Sequence, residues 1–90
     1  AVLYQNIPNP FNPETSIKFS LVQSGHSLLE IYNIKGQLIK TLVNNDLVAG
    51  EHSFIWNGKN EKGDQVASGI YLYNLRTQDI SIQKKAILLK

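Results

Sequence analysis

The stretch SIKFSL, residues 16–21, alternates polar and apolar side chains, so that Ile17, Phe19 and Leu21 fall on one side of an extended chain. A period of two is typical of a β-strand with one face buried and the other in water. Similar short segments follow to the end of the chain, at spacings of about 8 to 12 residues and with turn residues between them. No segment keeps a helical period, so the sequence predicts an all-β fold.

Two pairs of these segments have the form of β-hairpins, in which a short turn joins adjacent antiparallel strands. The paired segments are 27–33 with 37–43 and 69–77 with 80–90. The first pair flanks IKG, so Gly36 is expected to supply its turn. The polar stretch NNDLVAG, residues 44–50, is expected to be a link between strands.

A further strand is predicted within EHSFIWN, residues 51–57, where Phe54 and Trp56 lie on one face. The following NGKNEKGD, residues 57–64, has two glycines and no apolar residue, which is typical of a loop. With a short strand allowed in the first seven residues, the total is about seven strands. We therefore expect two packed antiparallel sheets with Trp56 in the core, and a small closed barrel is the alternative.

All three prolines, Pro8, Pro10 and Pro13, fall within the first thirteen residues. Proline has no N–H for a ladder hydrogen bond and keeps the residue before it extended, so this stretch is neither a helix nor a central strand. Asn9 can bond nearby backbone in place of the missing ladder, and Phe11 offers an apolar plug. The pattern predicts a stiff, extended segment that docks on the sandwich.

The chain is predicted to be a single small domain with two parts. Residues 1–14 form the extended part, here called the lead segment, and residues 15–90 form the sandwich. The chain begins at Ala1 without a methionine, so we expect it to be excised from a longer protein.

Composition argues against several classes of protein. The chain has no cysteine, so neither disulfides nor thiolate chemistry can be invoked. Its longest apolar run is four residues, whereas a membrane-spanning helix needs about 20. The net charge of +2 is too small to indicate a nucleic-acid partner. We expect neither membrane insertion nor nucleic-acid binding.

Positive charge is concentrated in the last hairpin. Residues 76–90 hold four basic residues and one acidic residue. Lysines on an edge strand block unwanted pairing with other sheets, which is the simpler interpretation, and recognition by a partner is the alternative.

The sequence contains no recognisable catalytic or metal-binding motif. His26 and His52 lie in turn-like stretches. No G-x-S-x-G nucleophile elbow, H-E-x-x-H zinc-binding motif or Walker loop occurs. The loop at residues 57–64 is rich in oxygen-bearing side chains, but their spacing does not match a calcium-binding loop. We predict no catalysis, no metal and no cofactor.

Aromatic side chains on the predicted strands have two interpretations. Tyr71 and Tyr73 share one face of a strand, and Trp56 lies on another strand. If exposed, such rings could stack on sugars, but a domain of this size needs them for its core, which we favour. The opposite face of the strand that holds Tyr71 and Tyr73 carries Ile70 and Leu72, so that face is either covered or meets a partner.

Four segments taken together resemble the type IX secretion system C-terminal sorting domain. They are equally similar to its relative, the immunoglobulin-like domain of the flagellar hook-capping protein. The segments are LYQNIPNPFNPETSIKFSL, LEIYNIKGQLIKTL, AGEHSFIWNGKNEKGDQVASGIYLYNL and KKAILLK. The resemblance extends over residues 3–90 and implies an immunoglobulin-like β-sandwich of about seven antiparallel strands.

The resemblance also implies which residues matter. The proline-rich motif of the family falls on Pro8, Asn9, Pro10 and Phe11. Its turn and strand-start positions fall on Gly36, Gly69 and Tyr71. Its terminal recognition strand falls on Lys84, Lys85, Ile87, Leu88 and Lys90. Such a strand can dock when a receptor supplies a matching sheet edge.

By resemblance, the domain is a non-catalytic module that directs an N-terminal passenger protein through the secretion system. The implied partners are the outer-membrane translocon and a sortase-like protease that removes the domain. The implied location is the periplasm in transit, then the cell surface or the medium. Two alternatives stay open: an immunoglobulin-like spacer or assembly domain, and a carbohydrate-binding accessory module.

Overall fold

The computed structural model describes residues 1–89, which form seven β-strands and no helix. The strands are β1 (Val2–Leu3), β2 (Thr15–Leu21), β3 (Gly25–Asn33), β4 (Leu38–Leu47), β5 (Gly50–Trp56), β6 (Gly69–Arg76) and β7 (Ser81–Leu88). Residues 1–89 therefore contain no helix with the length and apolar character needed to span a membrane.

The strands form two antiparallel sheets. One sheet has the order β1-β2-β5 and the other the order β4-β3-β6-β7. Both predicted hairpins are present, as β3 with β4 and as β6 with β7. No described strand belongs to both sheets, so the barrel alternative is wrong and the prediction of a seven-stranded antiparallel sandwich is confirmed.

The core lies between the two sheets because each alternating strand turns its apolar side inward. In β2, for example, Ile17 and Phe19 are 0% exposed. Full burial of one such side chain contributes about 1.5 to 3 kcal/mol to folding. The buried apolar residues are Leu3, Phe11, Ile17, Phe19, Leu21, Leu29, Ile31, Val43, Trp56, Tyr71, Tyr73, Leu75, Ala86 and Leu88.

β4 is longer than the sequence predicts. Residues 44–47, expected to belong to a polar link, continue this strand and pair with the start of β3, where Leu47 lies opposite Gly25. A register shift leaves Leu42 as an extra residue opposite β3. The side chains of residues 44–46 are exposed, and the ladder is formed by backbone groups, so their polarity does not prevent strand formation.

Candidate functional site

The last strand, β7, lies at the edge of the four-stranded sheet. Pairing with β6 places Ala86 opposite Tyr71 and Lys85 opposite Leu72. Ala86 is 1% exposed in the core, whereas Lys85 is exposed on the outer face of the sheet. The strand therefore contributes one face to the core and offers the other to the surroundings.

The structure separates the residues predicted for recognition. Lys85 and Ile87 lie on the outer face of the sheet, and Ile87 is half-buried there. Lys84 lies half-buried on the inner side, and Leu88 is 2% exposed in the core. Lys90 lies outside the described residues. Of the described members, the side chains of Lys85 and Ile87 are the ones placed on the outward side.

The lead segment lies against the open edge of β7. The N–H of Phe11 donates to the carbonyl of Ile87 at 2.9 Å, and the N–H of Leu89 donates to the carbonyl of Phe11 at 3.0 Å. These bonds form an isolated parallel bridge between Phe11 and Leu88. The lead segment thus takes the place of a neighbouring strand at this end of β7.

Two side chains of the lead segment extend this contact. Gln5 Nε2 donates to the carbonyl of Lys85 at 2.7 Å, and Asn9 Oδ1 accepts from the N–H of Ile87 at 2.8 Å. The sequence predicts that Asn9 bonds nearby backbone. In the structure it bonds the backbone of the last strand instead. Because backbone groups of Lys85, Ile87 and Leu89 are already bonded, an added strand would have to displace the lead segment here.

Phe11 anchors the lead segment in the core, where it is 2% exposed. Its ring centroid lies 5.3 Å from that of Trp56, which in turn lies 5.2 Å from Tyr71 in an edge-to-face arrangement. Trp56 is 1% exposed, and its Nε1 donates to the carbonyl of Lys59 at 3.0 Å. Aromatic pairs at such distances favour a fixed packing geometry.

A buried polar network, which the sequence analysis missed, fixes the start of the lead segment. The Tyr73 hydroxyl donates to the carbonyl of Tyr4 and accepts from the N–H of Asn6, both at 2.8 Å. Asn6 Nδ2 donates to Thr15 Oγ1 at 2.9 Å, and that hydroxyl donates to the carbonyl of Pro8 at 2.8 Å. Burial raises the pKa of Tyr73, and the Asn6 N–H partly opposes that rise.

The remaining residues singled out in the sequence lie at turns and in the lead segment. Gly36 has φ +82° in the turn between β3 and β4, and Gly69 begins β6 with φ +152°. Pro8 and Pro10 lie in the lead segment, where all three peptide bonds that precede proline are cis.

Neither histidine belongs to a catalytic arrangement in the described residues. His26 Nδ1 lies 3.0 Å from Asp46 Oδ1 on the exposed edge of the sheet, and its Nε2 lies 2.7 Å from Asn44 Oδ1. The hydrogen bond to Asp46, the larger cause, and that to Asn44 raise the pKa of His26. His52 Nε2 lies 2.8 Å from the carbonyl of Val48. The contacts of both rings tie strands and turns together.

The oxygen-rich loop at residues 57–64 uses its side chains to shape itself. Asn60 Oδ1 accepts from the N–H groups of Lys62 and Asp64, both at 3.0 Å. Glu61 Oε1 accepts from the N–H of Thr41 at 2.6 Å and so ties the loop to β4. Within residues 1–89, no three His, Cys, Asp or Glu side chains are grouped to hold a metal ion.

The aromatic residues considered for sugar stacking lie in the core. Tyr71 is 6% exposed, and Tyr73 and Trp56 are each 1% exposed. Their ring faces are therefore closed to a pyranose ring, and these three residues form no stacking platform.

Comparison with known proteins relates this arrangement to a described family. The sequence profile of the FlgD Ig-like domain matches residues 8–79. No curated protein matches the sequence.

Solved structures share the fold at low sequence identity. Dimeric latent PorU from Porphyromonas gingivalis is 17% identical, with a TM-score of 0.77 over 97% of this chain and 9% of PorU. FlgD from P. aeruginosa is 20% identical, with a TM-score of 0.66 over 82% of this chain and 59% of FlgD. FlgD from Xanthomonas campestris, whose structure concerns the hook capping essential for flagellar assembly, is 23% identical. Its TM-score is 0.67 over 96% of this chain and 63% of FlgD. The chain thus spans less than two thirds of each of these proteins.

Proposed function

We propose that this chain, which belongs to the family of FlgD Ig-like domains, is a sorting module that directs a passenger protein through the type IX secretion system. The module contributes no chemistry of its own. It is recognised through its last strand, β7, while the lead segment holds that strand in place and sets the angle to the passenger.

The observation that carries this proposal is the position of β7. The final strand lies at a sheet edge, is fixed by the lead segment, and holds Lys85 and Ile87 on its outer side. The family profile matches residues 8–79, so family membership does not depend on β7. The last strand is therefore free to carry a signal specific to this chain.

The passenger, the route and the partners are parts of the same proposal. The passenger precedes residue 1, the module crosses the periplasm, and the passenger reaches the cell surface or the medium. The translocon reads the module, and a sortase-like protease removes it. The small share of PorU that this chain covers agrees with a module attached to a larger protein.

A gain-of-function export assay tests the proposal. Residues 1–90 are fused to the C-terminus of a fluorescent passenger in a bacterium with a working type IX pathway, and the passenger without the domain is the control. We expect fluorescence at the cell surface or in the medium for the fusion and not for the control. Passenger retained in the periplasm, with the domain shown to be folded, would contradict the proposal.

Deleting residues 84–90 is not a clean loss-of-function test. The deletion would remove Ala86 and Leu88 from the core, where they are 1% and 2% exposed, and would leave the lead segment without its backbone partners at Ile87 and Leu89. Such a protein would lose export through unfolding as well as through loss of a signal. Substitutions at exposed positions of β7 separate the two effects.

A structural spacer or assembly role is the second candidate, and the FlgD family match favours it. A domain of this kind would contact copies of itself or a filament subunit. Light scattering over a range of concentrations helps to distinguish the two candidates, since an assembly domain is expected to associate whereas a sorting function does not require association. A mass that rises with concentration, together with failed export, would favour the assembly role.

A further inference from the structure

The outer face of the four-stranded sheet is apolar in one half. Tyr32 of β3 lies opposite Leu38 of β4 and Leu72 of β6, and Ile70 of β6 lies opposite Ile87 of β7. We call these five residues the outer patch. Leu38 and Ile70 are 49% and 42% exposed, and the other three are half-buried. The rest of this face is mixed, with Glu30, Asn74 and Gln83 in the next cross-strand row.

The other sheet has a different outer face. Along β2 the outward positions are Ser16, Lys18 and Ser20, and their partners in β5 are Ile55, Ser53 and Glu51, so one of these six residues is apolar. An antiparallel sheet with one face in water normally carries polar residues there. The four-stranded sheet departs from this pattern at the outer patch, where apolar residues of all four strands are neighbours, and contiguous exposed apolar residues mark contact sites.

The edge of β7 is less accessible to a partner than its outer face. The lead segment bonds the backbone of Lys85, Ile87 and Leu89, so strand addition at these residues would first break those bonds and withdraw Phe11 from the core. The outer patch needs no such rearrangement, because Ile70 and Leu38 are already exposed.

Charge around the outer patch restricts the partner. Lys85 lies in the same row as Leu72, and its ammonium makes no ion pair within residues 1–89. Glu30, the nearby acid, already accepts a hydrogen bond from the Tyr32 hydroxyl at 2.8 Å. A surface that covers the outer patch must therefore supply a carboxylate for Lys85, because a buried ammonium without a partner is costly.

We infer that the outer patch, with Lys85, is the surface through which the export receptor recognises this domain, and that the receptor offers an apolar surface bearing a carboxylate. This inference rests on the proposed sorting function. A second copy is the less suitable occupant, because the acidic residues of its own outer face, Glu30 and Asp46, are already bonded to Tyr32 and His26.

The test uses the export assay with substitutions that keep a strand-forming residue. The double variant Ile70→Thr/Leu72→Thr removes the centre of the outer patch, and Ile55→Thr is its control, since Ile55 is 61% exposed on the other sheet. Lys85→Glu reverses the charge in the patch, with Lys62→Glu in the exposed loop as its control. We expect the patch variants to lower surface fluorescence by at least about tenfold, and the controls to match wild type.

Folding and export failures are separated by melting each purified domain. Lys85→Glu changes an exposed side chain, so it remains a valid test if the double variant melts early. Wild-type export of both patch variants would overturn the inference and leave the sorting function standing. If the unmutated fusion is not exported, both the inference and the proposed sorting function are wrong.

Two further outcomes would reassign the surface. A doubling of mass with concentration that Leu72→Thr abolishes would assign the outer patch to a second copy, against the inference. Gln5→Ala/Asn9→Ala weakens the hold of the lead segment on β7, so a rise in export for this variant would favour strand addition at the edge. We expect no rise.

Discussion

Three aromatic residues connect the lead segment with the two sheets. Phe11, Trp56 and Tyr71 form a continuous row of rings, with centroid distances of 5.3 and 5.2 Å. They come from the lead segment, the three-stranded sheet and the four-stranded sheet respectively. Loss of the central ring therefore weakens all three parts together.

Trp56→Ala is expected to lower the free energy of unfolding by about 3 to 5 kcal/mol, because it opens a large cavity at the centre of this row. Urea denaturation followed by circular dichroism measures the change. Ile55→Ala is the matched control, because Ile55 is the next residue along the chain and its side chain is 61% exposed. This substitution should lower the free energy of unfolding by less than about 1 kcal/mol. Equal effects of the two substitutions would place the indole outside the core.

Tyr73→Phe isolates the contribution of one hydroxyl. The substitution keeps the ring but leaves the N–H of Asn6, a residue 1% exposed, without its partner. An unsatisfied buried group costs about 1 to 3 kcal/mol, so we expect a loss of that size at neutral pH. A variant as stable as wild type would show that the hydroxyl does not fix the lead segment.

The same pair of proteins has a predicted pH dependence. Burial raises the pKa of Tyr73 above its ordinary value of 10.0, so the unfolded chain loses this proton first as the pH rises. The stabilisation is complete below that ordinary value and declines above it. Urea denaturation from pH 8 to 11 should therefore show the difference between wild type and Tyr73→Phe shrinking above about pH 10. A constant difference would contradict the raised pKa.

At the scale of elements, the lead segment and β7 depend on each other. Asn9→Ala removes the acceptor for the N–H of Ile87, and we expect faster hydrogen exchange at Ile87 and a loss of about 1 kcal/mol. Asn12→Ala is the control, because Asn12 is exposed and its side chain makes no hydrogen bond within residues 1–89. Unchanged exchange at Ile87 in Asn9→Ala would argue against this contact.

The β3–β4 turn depends on one glycine. Gly36 has φ +82°, and a Cβ there would meet no atom within 4 Å, so Gly36→Ala introduces backbone strain without a clash. We expect a loss of about 1 to 2 kcal/mol in urea denaturation. At Gly25, which has equal space and no positive φ, the same substitution should be tolerated. Similar effects at both glycines would show that strain at Gly36 is absent.

The strands were predictable where alternation and burial agree. Ile17, Phe19 and Leu21 alternate in β2 and all face the core. The strand at residues 44–47 was not predictable from side chains, because backbone pairing with β3 creates it. The contact between Asn6 and Tyr73 joins residues 67 positions apart, and no local pattern encodes such a pair.

The whole molecule raises the question of what the sandwich adds beyond its fold. The sequence indicated Lys85 and Ile87 as candidates, but it did not show that Leu88 lies in the core or that the lead segment occupies the edge of β7. The first depends on the register of β6 with β7, and the second depends on backbone bonds between residues far apart in the chain, neither of which side-chain periodicity defines. The fold is shared with FlgD, so an export signal specific to this chain would have to reside in its own surface.

A comparison of two fusions shows whether the sandwich fold is sufficient for export. The same fluorescent passenger is fused to residues 1–90 or to the Ig-like domain of FlgD from Xanthomonas campestris, and the fraction of fluorescence at the cell surface and in the medium is compared in a strain with a working type IX pathway. We predict export with residues 1–90 and retention in the periplasm with the FlgD domain. Equal export, or equal retention, of the two folded fusions would show that this chain carries no sorting signal beyond the sandwich itself.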